Sequence, residues 1–251
     1  MHPVLIKIGP LTVYTYGVFV SAAFALSAYL MWYNAPLRNF QREKVLDFVV
    51  VILISGIIGA RLLYVILNLD YFKKNPIEIV MLNRGGLAFH GGLLFSFFGG
   101  IYFLLKNSIP LRDAGDLVAP YAALGQSIGR IGCFFNGCCI GKPGAPYYLG
   151  FKFLGDQVYR HPVQLYEAAI LLILHMLLRF MLQKNILKHN LFFFYLTAYS
   201  FERFFMDFLR ADLPNIFMKL TLSQIFSVII LFIGFAAIVI EKIYFGKKNG
   251  A

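Results

Sequence analysis

Apolar residues in this chain form seven long runs separated by short polar segments. The runs lie near residues 13–33, 46–68, 87–105, 114–131, 163–182, 190–209 and 221–244. Each approaches the roughly 17–25 residues that a helix needs to cross about 30 Å of hydrocarbon. The pattern therefore predicts an all-α, polytopic integral membrane protein with about seven transmembrane helices in a single domain over residues 1–251.

The composition supports this interpretation. The hydrophobic residues make up 59% of the chain, against about 45–50% in a soluble globular domain. The charged residues make up 14%, against about 25% in such a domain. Disorder and coiled coil are excluded on the same grounds. The third, fourth and sixth runs also carry polar residues, which we expect to face the interior of the helix bundle because lipid does not solvate them.

The positive charge of the chain is dispersed rather than clustered. The formal net charge is +11, but the Lys and Arg residues lie in the short segments between apolar runs, which does not favour nucleic acid as a partner. A modest excess lies on the side of the C-terminus, and the positive-inside rule then predicts a cytoplasmic C-terminus and an external N-terminus. The Gly- and Pro-containing loop 132–160 is predicted to be a small, ordered element on the outside.

The end of the sixth run contains a polar stripe. At about 100° per residue, Tyr199, Arg203, Asp207 and Arg210 fall within an arc of roughly 80° on one helix face. We expect Asp207 to contact both guanidiniums, and two arginines for one carboxylate leave a positive excess that suits an anionic ligand. The alternative is a structural ladder of ion pairs at the outer interface.

Glycines surround an arginine at the end of the fourth run. Arg130 lies in a segment, residues 129–141, that also contains Asn136, Gly137 and Gly141. Glycines allow backbone N–H groups and a guanidinium to approach a phosphate closely at the depth of lipid headgroups. The alternative is an arginine that extends to the membrane interface beside turn glycines.

A histidine opens the third run. His90 follows Gly85 and Gly86, and histidine is the residue type most suited to proton transfer near neutral pH. The alternative is a hydrogen-bonded interface residue. Arg61 in the second run is interpreted as a structural partner for a buried carboxylate. Residues 161–167 fit a helix start with an acidic residue, Glu167, near its positive end.

The three cysteines give no clear signal in the sequence. Cys133, Cys138 and Cys139 show no CxxC motif and no metal spacing, and an odd number makes no complete disulfide framework. A membrane thiol–disulfide protein and an anion transporter are alternative classes. The first lacks a CxxC motif, and the second lacks the repeated halves that such transporters show.

Six segments, taken in order, carry a resemblance to a known family. They are Tyr14 to Gly17, Gly85 to Gly92, Gly129 to Gly141, His161 to Glu167, Tyr199 to Arg210, and Leu222 to Ile225. Together they resemble the prolipoprotein diacylglyceryl transferases of bacteria over nearly the whole chain. The resemblance implies a multi-pass protein of the bacterial cytoplasmic (inner) membrane.

The resemblance also implies the reaction and the site. The family transfers the diacylglyceryl group of phosphatidylglycerol to the lipobox cysteine of a prolipoprotein signal peptide and releases glycerol phosphate, with no metal or other cofactor. The implied catalytic residues are Arg130, Arg203 and His90, and the substrate contacts are Tyr16, Gly85, Asn136, Gly137, Gly141, Tyr199, Asp207 and Arg210. Because the substrate supplies the thiol, no cysteine of this chain is assigned to catalysis.

The chain departs from the family pattern at a few positions. Cys133 replaces an asparagine, Cys138 stands where an acidic residue is usual, Asp207 stands for a glutamate, and a proline between Arg210 and Asp212 is missing. The arginines are intact. These departures leave open, as an alternative, a divergent member with another lipid donor or acceptor.

Overall fold

The computed structural model describes residues 2–9, 11–81, 85–153, 155–217 and 220–248. In these residues the helices are α1 (Thr15–Asn34), α2 (Arg42–Leu67), α3 (Leu69–Lys74), α4 (Phe89–Lys106), α5 (Leu111–Asn136), α6 (Val163–Gln183), α7 (Leu191–Met206) and α8 (Leu222–Lys248). Seven of them match the seven apolar runs, and the short α3 was not predicted. The all-α, multi-pass architecture is confirmed.

Five helices of the described chain are long and apolar enough to cross a membrane. The exceptions among the seven are α5 and α7, and both of them bury polar side chains. Asp116 and Ser127 are buried on α5, and Ser200 and Glu202 on α7. The prediction that polar residues of these two runs face the interior is confirmed, whereas His90 of the third run is exposed.

Two short hairpins were not predicted by the periodicity. Strand β1 (Val4–Ile8) pairs antiparallel with β2 (Leu11–Tyr14), and β3 (Asn215–Phe217) pairs with β4 (Leu220–Thr221). Each hairpin leads directly into a long helix, α1 or α8. The first one connects to its helix through a hydrogen bond from the Thr15 N–H to the Pro3 carbonyl, at 3.0 Å.

The chain forms two compact units. We call residues 1–31 with 115–251 the split unit, and residues 32–114 the continuous unit. In the continuous unit, α2 and α4 pack closely because glycines face each other, and a Cβ atom at Gly91 would overlap the Gly59 carbonyl oxygen. The Ser96 hydroxyl donates a hydrogen bond across the pair to the Ile52 carbonyl, at 3.0 Å. Small residues and such hydrogen bonds are typical of helix contacts within membranes.

We expect Gly91→Ala to separate α2 from α4 and to destabilise the protein by about 1–3 kcal/mol, the usual cost of overpacking. The measurement is the thermal unfolding midpoint in detergent. Gly17→Ala on α1 is the matched control, because nothing lies within 4 Å of a Cβ atom there and alanine is the better helix former. An unchanged midpoint for Gly91→Ala would contradict the close packing.

In the split unit, buried polar contacts join α5, α6 and α7. The Ser127 hydroxyl donates to the Ala168 carbonyl at 2.7 Å. The carboxylate of Asp116 accepts hydrogen bonds from the N–H groups of His189 and Leu191, at 2.6 and 2.8 Å, and so holds the first turn of α7 against α5. These contacts fix the three helices that carry the charged residues described next.

Candidate active site

A single buried carboxylate connects the two predicted catalytic arginines. Glu167 lies on the second turn of α6 and is 1% exposed. Its Oε2 atom is 2.9 Å from Nε of Arg130 on α5, and its Oε1 atom accepts a hydrogen bond from Nη1 of Arg203 on α7 at 2.7 Å. The structure thus brings Arg130 and Arg203 together, although they are 73 residues apart in the sequence.

Sequence reasoning missed the role of Glu167. Its position close behind Pro162 fits a helix start, which is how the pattern was interpreted. The available signal was the charge of Glu167 itself. A charged side chain near the start of an apolar membrane helix is rarely buried without a partner.

Arg203 is held on three sides. Besides Glu167, its Nε atom donates to the Ser223 hydroxyl at 3.0 Å, and its Nη2 atom is 3.0 Å from Oδ1 of Asp207. The other Asp207 oxygen accepts a hydrogen bond from the Thr221 hydroxyl at 3.0 Å. This arrangement fixes the side-chain conformation of Arg203, and it includes the contact between Asp207 and Arg203 that the sequence predicted.

The start of α8 supplies two of these partners. Thr221 and Gln224 form a capping box, in which the Gln224 N–H donates to the Thr221 hydroxyl at 3.1 Å and the Thr221 N–H donates to the Gln224 side chain at 2.9 Å. The Gln224 amide also donates to the Phe204 carbonyl at 3.2 Å. The cap therefore fixes α8 against the end of α7 and positions Ser223 beside Arg203.

Arg210 does not lie on the predicted helix face. Helix α7 ends at Met206, a 3-10 turn covers Asp207–Leu209, and Arg210 is extended. Its guanidinium donates two hydrogen bonds to Asp212, at 2.9 and 2.6 Å. Burial alone would lower the pKa of Arg210, but the hydrogen-bonded carboxylate of Asp212 raises it above its ordinary value. The expected contact between Asp207 and the Arg210 guanidinium is therefore wrong, because the helix stops one turn too early.

The excess of positive charge predicted for Arg203 and Arg210 is also wrong, because Glu167 joins Asp207 beside Arg203 and Asp212 pairs with Arg210. Arg130 and Arg203 face two carboxylates, Glu167 and Asp207. A third, Glu202, is buried next to Arg203 in the sequence, and neither of its oxygens accepts a hydrogen bond within the described part of the chain. The cluster of Arg130, Glu167, Arg203 and Asp207, which we call the arginine cluster, is thus electrically balanced.

The arginine cluster still has capacity for an anion. The Arg130 side chain is 18% exposed, and no residue that the structure describes accepts a hydrogen bond from its two terminal amino groups. A guanidinium presents five donors in a fixed fork that matches a carboxylate or phosphate. Glu167 therefore orients Arg130 through Nε and leaves the outer edge of the fork available.

Helix α5 ends in a Schellman motif just beyond Arg130. Gly137 has a φ of +75°; its N–H donates to the Phe134 carbonyl at 3.1 Å, and the Cys138 N–H donates to the Cys133 carbonyl at 3.2 Å. Asn136 is the last helical residue and is exposed. The predicted boundary of the loop at residue 132 is therefore too early by about one turn.

The Schellman motif brings the three cysteines together. The Sγ atoms of Cys133, Cys138 and Cys139 all lie within 4.8 Å of one another, and all three residues are partly buried. Hydrogen bonds from the Cys133 and Cys138 thiols lower the pKa of the Cys139 thiol, and the nearby guanidiniums of Arg210 and Arg130 lower it further. Spacing in the sequence did not reveal this cluster, because the reversal at Gly137 creates it.

The loop after α5 is ordered by backbone pairing. Gly141 forms a β-bridge with Arg210, and a Cβ atom at Gly141 would overlap the His161 carbonyl oxygen. The side-chain amide of buried Gln164 donates to the Cys138 carbonyl at 2.6 Å. The prediction of ordered turns is confirmed for the described part of this loop, and Gly141 occupies a place that admits no side chain.

The two predicted tyrosines lie near these groups. Tyr199 is one helical turn before Arg203 on α7 and stacks on Tyr195, with ring centroids 6.0 Å apart. Tyr16 is on the first turn of α1, and its Cδ2 atom would be 3.3 Å from a Cβ atom at Gly132. The split unit therefore contains Tyr16, Arg130, Asn136, Gly137, Gly141, Tyr199, Arg203, Asp207 and Arg210.

Gly85 and His90 belong to the continuous unit. His90 is the second residue of α4, is exposed, and contacts the ring of Phe89. Gly85 has a φ of +76°, which favours glycine, and its carbonyl accepts a hydrogen bond from Arg61 at 2.6 Å. Their roles as proton acceptor and substrate contact stay predictions.

Arg61 is structural, but its partners differ from the expected ones. Its guanidinium donates hydrogen bonds to five backbone carbonyls, those of Glu78, Ile79, Met81, Gly85 and Gly86. It also lies over the rings of Tyr64 and Phe72. The predicted partner was a buried carboxylate. The carbonyls take its place: Glu78 and Ile79 lie in a 3-10 turn, Pro76–Val80, and Gly85 and Gly86 lie shortly before α4. Arg61 bonds to both segments and thereby positions the backbone that precedes His90.

For Asp207, we expect Asp207→Asn to lower turnover by about tenfold and Asp207→Glu to retain most of it. Asparagine leaves Arg203 with a weaker partner while Glu167 and Ser223 still hold it, and glutamate keeps the charge. The check is the steady-state rate of the purified variants. Full activity of Asp207→Asn would contradict the orienting role, and total loss in a folded Asp207→Glu would indicate direct substrate contact.

The fold and the site define a polytopic membrane protein in which Arg130 and Arg203 share the carboxylate of Glu167. Asp207 completes the neutralisation of their charge. Residues 3–240 match the family described as prolipoprotein diacylglyceryl transferase. The chain belongs to this family, and the resemblance noted in the sequence is confirmed.

Curated relatives agree with this assignment over nearly their full lengths. A protein of Streptococcus mutans is 34% identical over 249 residues, which cover 96% of this chain and 96% of the relative. One of Clostridium botulinum is 33% identical over 252 residues, with 96% and 98% covered. One of Staphylococcus carnosus is 32% identical over 251 residues, with 96% and 91% covered. Each is named a phosphatidylglycerol–prolipoprotein diacylglyceryl transferase.

Proposed function

We propose that this protein transfers the diacylglyceryl group of phosphatidylglycerol to the lipobox cysteine of prolipoproteins, forming a thioether and releasing glycerol phosphate. The observation that carries the proposal is the arginine cluster, in which Glu167 holds Arg130 and Arg203 on facing helices. It stands in a chain of the family whose relatives carry this activity in their names.

The chemistry of the reaction suits this cluster. The sulfur of the acceptor attacks a glycerol carbon, the bond from that carbon to the phosphate oxygen breaks, and the electron pair leaves with glycerol phosphate. Negative charge therefore grows on the bridging oxygen in the transition state. Arg130 donates to the departing phosphate through the free edge of its fork, and Arg203 stabilises the same charge while Asp207 and Ser223 hold it in place.

The acceptor must lose a proton before or during attack. A free thiol has a pKa near 8.5 and is mostly protonated at neutral pH. We assign His90 as the base, because a neutral imidazole accepts a proton near this pH. Tyr16, Gly85, Asn136, Gly137, Gly141, Tyr199, Asp207 and Arg210 complete the proposed set of substrate contacts and supporting residues, of which Arg210 acts through Asp212 and the loop at Gly141.

The proposed orientation follows from the distribution of positive residues. The C-terminus lies in the cytoplasm, and the N-terminus and the loop after α5 lie outside the bacterial inner membrane. A reporter fused to the C-terminus, active only in the cytoplasm, tests this assignment. An inactive but stably expressed fusion would reverse it.

The direct test of the function uses purified protein with phosphatidylglycerol and a lipobox peptide. We expect the peptide mass to increase by one diacylglyceryl group and glycerol phosphate to appear in equal amount. Phosphatidylethanolamine as donor and a peptide with serine at the acceptor position are the matched controls. Transfer from phosphatidylethanolamine at the same or a higher rate would instead favour a divergent member of the family, and no transfer from either lipid would contradict the proposal.

A further inference from the structure

We propose that Cys133, Cys138 and Cys139 form a three-thiolate zinc site whose open fourth position binds the thiol of the acceptor peptide. This proposal rests on the proposed transferase function for the identity of the fourth ligand. The metal site itself depends only on the geometry of the three cysteines. The family resemblance implied no metal and no catalytic cysteine, and the proposal differs from it because Cys133 and Cys138 are departures from the family pattern.

The spacing of the sulfur atoms suits one metal ion. Three thiolates at about 2.3 Å from a tetrahedral zinc ion lie about 3.8 Å apart, and the three Sγ atoms here lie within 4.8 Å of one another. Small side-chain rotations are enough to close this difference. A disulfide would join only two of the three sulfurs and leave the third without a bond, whereas one metal ion binds all three.

The backbone holds the three cysteines in place without metal. Cys133 is on the last turns of α5, and the Schellman motif at Gly137 returns Cys138 to the Cys133 carbonyl. Cys139 follows with a φ of +60°, an uncommon conformation for a residue other than glycine. Gln164, which is fully buried, fixes the Cys138 carbonyl from α6. Preorganised ligands of this kind reduce the cost of binding a metal.

The ligand set and the nearby charge determine the ion and its open position. Thiolates are soft ligands that select zinc or copper(I), and zinc with three protein ligands keeps a fourth position for water or substrate. Three thiolates and one Zn²⁺ carry one negative charge in total. Arg130 and Arg210 lie within electrostatic range of Cys139, so they favour this anionic complex and a fourth thiolate added to it.

The position of the site relative to Arg130 gives it a function. Cys133 is three residues after Arg130 on α5, so the two side chains are neighbours on one helix face. A zinc-bound thiol is deprotonated outright. With zinc bound, the acceptor S–H bond would break on binding and its proton would pass to the base of the proposed reaction. The sulfur would then form its bond to the glycerol carbon, and the phosphate would leave with the electron pair. Zinc is neither oxidised nor reduced.

The first test measures metal without measuring activity. We expect the purified protein, with its thiols reduced, to retain about one zinc per chain. Each of Cys133→Ser, Cys138→Ser and Cys139→Ser should weaken zinc binding by more than tenfold, since loss of a residue that only hydrogen-bonds to a metal ligand already costs about 10–100-fold. His2→Gln is the control for adventitious binding, because His2 is exposed, and it should bind zinc like the wild type. If wild-type protein whose three thiols are all free binds no added Zn²⁺, the proposal is overturned.

The second test examines the fourth position. In protein loaded with Co²⁺, a lipobox peptide with cysteine should change the visible absorption of the metal, and the same peptide with serine should not. Identical spectra with the two peptides would overturn the open position. If the variant with all three cysteines changed to serine transfers lipid at the wild-type rate, zinc has no role in thiol activation, and the proposed function stands. If the spectrum changes but no lipid is transferred, the proposed function alone is contradicted.

Discussion

Arg203→Lys is expected to fold and to lose about 10²–10³-fold in turnover, the usual effect of removing one donor to a developing oxyanion. Lysine keeps the positive charge but has a single nitrogen, which cannot reach Glu167, Asp207 and Ser223 together. Arg130→Lys should show a similar loss, because a point charge replaces the fork that faces the phosphate. The measurement is the initial rate of peptide lipidation at saturating lipid.

Arg179→Lys provides the matched control for these variants. Arg179 lies on α6, twelve residues after Glu167, outside the arginine cluster. It should retain nearly wild-type turnover. Wild-type rates in either Arg203→Lys or Arg130→Lys would refute the role of the guanidinium fork.

Glu167→Gln is expected to have the largest effect on stability. It removes the one carboxylate that both arginines share, and breaking a buried ion pair by removing one partner costs about 3–5 kcal/mol. Asp207 remains for Arg203, but Arg130 loses the partner that orients it. We therefore expect both a lower thermal unfolding midpoint and a loss of turnover in the folded fraction.

Asp156→Asn is the corresponding control for the loss of a carboxylate. Asp156 pairs with Arg160 at 2.7 Å, but both side chains are more than 20% exposed, so the ion pair is worth only about 0–1 kcal/mol. If Glu167→Gln unfolds at the wild-type temperature and keeps its turnover, the shared carboxylate is not the organising element of the cluster.

The long helices could be predicted from the sequence because hydrophobic length alone specifies them. The seven apolar runs correspond to seven helices, within a few residues at most ends. The hairpins at Val4–Tyr14 and Asn215–Thr221 could not, since their strands of two to five residues give no period to detect.

The candidate site was predictable in its residue types but not in its connections. Arg130, Arg203 and Asp207 were identified from the motifs, and the contact of Asp207 with Arg203 was expected from their i, i+4 spacing. The same spacing rule failed for Arg210, because the helix ends at Met206. Glu167 and the cysteine cluster depend on helix packing and on one reversal at Gly137, and neither can be obtained from local periodicity.

In the proposed reaction, the arginine cluster stabilises a phosphate that leaves as sulfur displaces it at carbon. Phosphatidylglycerol labelled with ¹⁸O at the bridging oxygen between the diacylglycerol carbon and phosphorus tests it directly. Because the bond between carbon and this oxygen breaks, we expect a peptide that gains one diacylglyceryl group without label, and glycerol phosphate that carries all of the ¹⁸O. Label retained in the modified peptide, or a peptide that stays unmodified, would contradict it.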